Sequence, residues 1–105
     1  MSGQGQAGAR DGVLHVDGEM SIYRAAELKD VLLAALQGQR VLEIDLAQVS
    51  EIDSAGVQLL MMAKQAAHAK GAELRLVHHS PAVIEVFELL DLAGHFGDPL
   101  LVPAA

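Results

Sequence analysis

From about Arg24 to Gln37 the apolar residues Ala25, Leu28, Val31, Leu32, Ala35 and Leu36 recur at helical spacing, and Gly38 follows as a stop. An amphipathic helix is the expectation. Val41 to Leu46 carries a different rhythm, with Leu42, Ile44 and Leu46 on one side and Glu43 and Asp45 on the other. That alternation is the period of two of a half-buried strand. Glu73 to Val77 repeats it, with Leu74 and Leu76 set against Arg75. Strands covered on both faces read instead as continuous apolar runs, so helices are expected on one face of the sheet only.

A second helix is predicted from about Ser54 to Lys70, closed by Gly71. Val57, Leu60, Met61 and Ala67 form its stripe, widened by Leu59, Met62 and Ala63, while Gln58, Gln65 and His68 mark its wet side. A third begins at Ser80-Pro81, where serine caps and proline fits the first turn. Val83, Ile84, Phe87 and Leu90 should face inward, and Glu85 and Glu88 outward. At the front, Val13 to Val16 reads as a strand and Gly18 to Ser21 as a turn or short second strand leading into Ile22 and Tyr23; Leu100 to Val102 adds an edge strand. After residue 40 strands and helices alternate, which calls for parallel strands joined by helical crossovers. The fold class is therefore α/β, a single mixed, largely parallel β-sheet with helices on one face. Residues 1–11 are expected to be a flexible leader and 12–105 the domain.

With 105 residues, 51% of them hydrophobic, the chain has material for one core and not two. Aromatics are only 3%, which leaves no platform for stacking bases, and a formal net charge of −7 would repel a nucleic-acid backbone. Direct nucleic-acid binding is thus disfavoured. There is no cysteine for a disulfide, a thiol nucleophile or a thiolate metal site, which suits the cytoplasm. The longest apolar runs are far shorter than the roughly 20 residues of a membrane-spanning helix, and no secretory signal is read at the start.

The sharpest local feature is Val49-Ser50-Glu51-Ile52-Asp53-Ser54-Ala55-Gly56-Val57, where the strand at 41 to 46 hands over to the second helix. Either Asp53 or Ser54 can serve as N-cap. Ala55 and Gly56 have almost no side chain and would leave the Ser54 hydroxyl open to an approaching protein. A hydrolase would need the same residue types, yet a nucleophile elbow requires glycine two residues before the serine, and Ile52 stands there. No catalytic residue is assigned. His78-His79 should point to opposite faces, and His15, His68 and His95 are scattered, so neither a metal nor another cofactor is expected. The Met61-Met62 pair reads as core filler, and Tyr23 as either a rim contact or a partly buried core residue.

Ile52-Asp53-Ser54-Ala55-Gly56, after the strand Leu42 to Leu46 and before an apolar helix, resembles the STAS domain family, whose best-known members are bacterial anti-sigma factor antagonists. The resemblance spans about residues 12–102 and includes the Gly18-Glu19 turn, Gly71, and the closing stretch Val86-Phe87-Glu88-Leu89-Leu90-Asp91-Leu92. It implies a cytoplasmic partner switch: Ser54 is the phospho-acceptor of a serine kinase, anti-sigma factor-like, that is also the binding partner, and a phosphatase restores the serine. It also implies a partner surface of Glu19, Met20, Ser21, Tyr23, Asp53, Ser54, Ala55, Gly56 and Gln58. The oligomeric state is left open by the sequence, a monomer being favoured. Here Met20-Ser21-Ile22-Tyr23 replaces the acidic, polar turn common in sigma-factor antagonists. STAS proteins of chemosensory and lipid-transport assemblies are also similar, and they imply the alternative of a constitutive interaction subunit.

Overall fold

A computed structural model of the chain describes residues 10–90. Strand β1 (Arg10–Met20) is followed by a single 3-10 turn at Ile22–Arg24 and helix α1 (Ala25–Ala35). Strand β2 (Gln39–Ile52), helix α2 (Ser54–Ala69), strand β3 (Glu73–Val77) and helix α3 (Pro81–Leu89) complete the order. The described strands form one sheet in the order β1-β2-β3, with both pairs parallel. The strand expected at Leu100 to Val102 lies outside the described residues.

The alternation in β2 and β3 sorts the sheet into two faces. Leu42, Ile44 and Leu46 of β2 and Leu74 and Leu76 of β3 are buried, and they meet Leu28 and Leu32 of α1, Leu36 at its C-cap, and Leu60, Ala63 and Ala67 of α2 in one core. Each fully buried leucine or isoleucine contributes about 2 kcal/mol by leaving water. The opposite face is polar: His15 Nδ1 of β1 lies 3.3 Å from Asp45 of β2, and Arg75 donates to Glu73 along β3 at 2.7 Å. That hydrogen bond and the charge of Arg75 hold the Glu73 carboxyl below its usual range.

Two strands run further than the sequence pattern suggests. β1 is one continuous strand to Met20 rather than a strand at Val13 to Val16 with a turn or second strand after it. Gly18, at φ +75°, and register shifts on either side of it absorb the bend while pairing with β2 continues to Met20 opposite Ile52. Bulges of this kind hide a strand from a strict period of two. β2 likewise continues past Leu46 to Ile52, so Asp53 alone separates it from α2.

The helices match their sequence signals with two exceptions. Val31, expected on the inner stripe of α1, is 40% exposed, because the i, i+4 row of Leu28, Leu32 and Leu36 takes the centre of the contact. Leu90, expected inward, is 53% exposed at the C-cap of α3. Ser80 caps α3, accepting the Val83 N–H, and Pro81 occupies its first turn. Met61 and Met62 pack against the core from its margin, and Gln58, Gln65 and His68 are exposed.

Candidate functional site

The site is assembled where β1 and β2 end side by side and two helical segments begin. Asp53, in extended conformation, is the N-cap of α2, and its Oδ1 accepts the Gly56 N–H at 3.0 Å. Its other oxygen accepts the Ile22 N–H at 3.1 Å, and its own N–H donates to the Met20 carbonyl at 3.2 Å. One residue thus closes the helix and ties it to the turn after β1. The Gly56 amide above all, helped by the Ile22 amide, holds the Asp53 carboxyl below the ordinary aspartate value.

Of the two candidate caps, the structure uses Asp53, which leaves Ser54 at the first helical position with its side chain exposed. The Ser54 hydroxyl is therefore not needed to close the helix. Ala55 beside it is half-buried, and Gln58, one turn on, is exposed.

Two residues assigned to the partner surface are not on it. Met20 is fully buried, and Gly56 is buried beneath the turn, where a Cβ would overlap the Met20 carbonyl oxygen and lie 2.9 Å from the Met20 Cβ. Close approach of α2 to the end of β1 is the physical reason for both. They support the surface from below. Ser21 is also mostly covered, at 8% exposure: its hydroxyl donates to Glu19 at 2.9 Å and accepts the Tyr23 N–H at 3.2 Å, capping the 3-10 turn.

That turn throws its apolar side chains outward. Tyr23 is 89% exposed and Ile22 66% exposed, which decides between the two readings of Tyr23 in favour of a surface residue. Ile22 was legible only as part of an apolar turn; its exposure comes from its amide being held by Asp53, which sets the side chain away from the core. Between the turn, the end of β2 and α3 lies an open groove of ≈ 440 Å³, lined among others by Tyr23, Glu51, Asp53, Glu85 and Val86. The contribution of α3 had no local sequence signal, because it depends on how the third helix packs over β2.

Of the histidines, His15 pairs with Asp45 on the far sheet face, His68 is exposed on α2, and His78 is exposed while His79 is fully buried with its ring edge-on to Phe87 at 5.5 Å. None of these four lines the groove beside Asp53. His95 lies outside the described residues.

Parallel strands backed by helices on one face, with a serine exposed at the start of the helix that follows the middle strand, define a small α/β domain. The family model described as Mlab, STAS domain matches residues 4–103, and the chain belongs to this STAS family. Among solved structures, it is similar to the anti-sigma factor antagonist SpoIIAA in its unphosphorylated form, with a TM-score of 0.67 and 22% identity over 90% of this chain and 84% of that one. It is also similar to the STAS domain of a SulP transporter from Vibrio cholerae, with a TM-score of 0.64 and 18% identity over 93% of this chain and 80% of that one. No curated protein matches it by sequence. Among the described residues no helix is long and apolar enough to cross a membrane.

Proposed function

We propose that this STAS domain is a protein-binding module whose docking surface surrounds Ser54, and that phosphorylation of Ser54 by a cognate serine kinase, reversed by a phosphatase, controls who docks there. The observation that carries this reading is the division of labour between neighbours: Asp53 caps α2, and the adjacent Ser54 hydroxyl stands exposed at its first position. A hydroxyl with no duty in the fold can be modified without unfolding the domain.

The physics of the switch follows from what surrounds that oxygen. A phosphate adds a charge of about −1.5 to −2. It would sit next to the Asp53 carboxylate and close to an exposed apolar turn, so a partner lying over both would have to desolvate a dianion. Docking weakens, while the helix N-terminus partly accommodates the charge within the domain. The similarity to SpoIIAA supports the analogy through fold alone.

A second reading, a constitutive interaction subunit of a chemosensory or lipid-transport assembly, is favoured by a different observation. Ile22 and Tyr23 place exposed apolar surface where a sigma-factor antagonist would be polar, and permanent interfaces are the more apolar ones. One experiment separates the two. The tagged chain, Ser54→Ala and Ser54→Asp are used to capture partners from the native host, and cellular Ser54 is mapped for phosphate by mass spectrometry. The switch predicts phosphate on Ser54 and loss of the partner with Ser54→Asp only. Equal capture by all three chains, with no phosphate on Ser54, selects the constitutive subunit.

A further inference from the structure

The turn that carries Ile22 and Tyr23 begins on a bulged, bent stretch of β1, and something must hold that stretch in one shape. Pairing with β2 slips on both sides of the Asp17-Gly18 step, between His15 and Asp17 and between Gly18 and Glu19. Backbone carbonyls at a bulge lose regular ladder partners and need others. Arg24 supplies them. Its Nη1 donates to the Asp17 carbonyl at 2.7 Å and to the Glu19 carbonyl at 2.8 Å, straddling Gly18.

The glycine is part of the same device. Gly18 adopts φ +75°, which side-chain-bearing residues rarely adopt, and a Cβ there would lie 2.9 Å from Arg24 Nη1. The guanidinium therefore occupies the space that only glycine leaves open. Its other nitrogen stands 3.8 Å from Glu27 on the exposed side of α1, a looser contact of the kind worth little in water. The two short bonds to carbonyls are made by a charged donor, the stronger class of hydrogen bond.

Arg24 is also the last residue of the 3-10 turn, so one side chain reaches back across the turn to the strand that feeds it. We propose that Arg24 is the positioning residue of the docking surface: by gripping the carbonyls of Asp17 and Glu19 around Gly18 it fixes the direction in which Ile22 and Tyr23 stand beside Ser54. Asp53 holds the turn from the α2 side and Arg24 holds it from the β1 side. The assignment of a docking role rests on the function proposed above; the grip itself does not.

The chain contains one tyrosine and no tryptophan, so its intrinsic fluorescence reports Tyr23 alone. In the full chain, Arg24→Ala should lower the fluorescence anisotropy of Tyr23. It should also speed hydrogen exchange of the Ile22 and Tyr23 amides about tenfold, as loss of a hydrogen bond from a charged donor implies. Exchange in β2 from Leu42 to Leu46 should stay as in the wild type. Arg24→Lys, which keeps a charged donor, should restore part of the protection, and Glu27→Gln should change nothing. Unchanged exchange at the turn in Arg24→Ala overturns the grip. So does an equal rise in the turn and in β2, which would mark a purely global role, or the same loss in Glu27→Gln. Titrating Arg24→Ala against the partner captured with the unmodified chain then tests the docking role separately. A loosened turn with undiminished affinity overturns the positioning of docking and leaves the grip standing.

Discussion

The Asp53 carboxylate accepts the backbone N–H of Ile22 at 3.1 Å across 31 residues of sequence, and in doing so joins the start of α2 to the turn that closes β1. With its second oxygen on the Gly56 amide, the same side chain sets both the helix that displays Ser54 and the turn that displays Tyr23. The elements of the candidate surface therefore share one anchor.

Replacing that anchor should have a pH signature. The folded Asp53 carboxyl lies below the 3.8 expected of an unfolded aspartate, so its ionised form is favoured by folding. Its stabilising contribution is complete above that unfolded value and is lost as the pH falls through the lower, folded value. Asp53→Asn should lower the thermal midpoint at neutral pH and flatten the acid limb of the stability curve in that window. Thermal unfolding followed by circular dichroism from pH 7 to pH 2 checks both parts.

Ser54→Ala should leave stability within about 0.5 kcal/mol of wild type, because the capping bond belongs to Asp53. Urea unfolding measures it. A loss near the 1 kcal/mol or more of a removed N-cap would show that the serine hydroxyl holds the helix after all.

Gly56→Ala should destabilise the domain by about 3 kcal/mol, the upper range for overpacking a tight contact, because the new methyl overlaps the Met20 backbone. Met20→Ala should cost a similar amount, about 3 kcal/mol, by opening a cavity under the turn. Both are read from denaturant midpoints. Any loss of partner binding in these two variants follows from the displaced turn, since neither side chain is on the surface.

Tyr23→Ala should behave in the opposite way. Its side chain is 89% exposed, so folding stability should hardly change, whereas an aromatic anchor at the centre of an interface is worth about 2 kcal/mol of binding, or roughly thirtyfold in affinity. Calorimetric titration against the captured partner decides it. An unchanged affinity would place the docking surface elsewhere.

Alternating apolar residues in β2 and β3, helical spacing in α1 and α2 and the Ser80-Pro81 start of α3 are local signals, and each of these elements is present, with β2 running on past its alternating stretch to Ile52. They settled the α/β class and the single helix-covered face, because burial of one side of a strand or helix is written in its own period. The Asp-Ser-Ala-Gly stretch was also legible as a helix start, which put Ser54 in view. The rest required contacts between distant segments. Only tertiary packing decided that Asp53 and not Ser54 closes α2, that Met20 and Gly56 lie beneath the surface, and that Ile22 and Tyr23 stand on it. In each case the deciding force is a backbone group or methyl-sized gap supplied by another part of the chain, and no local period records such a partner.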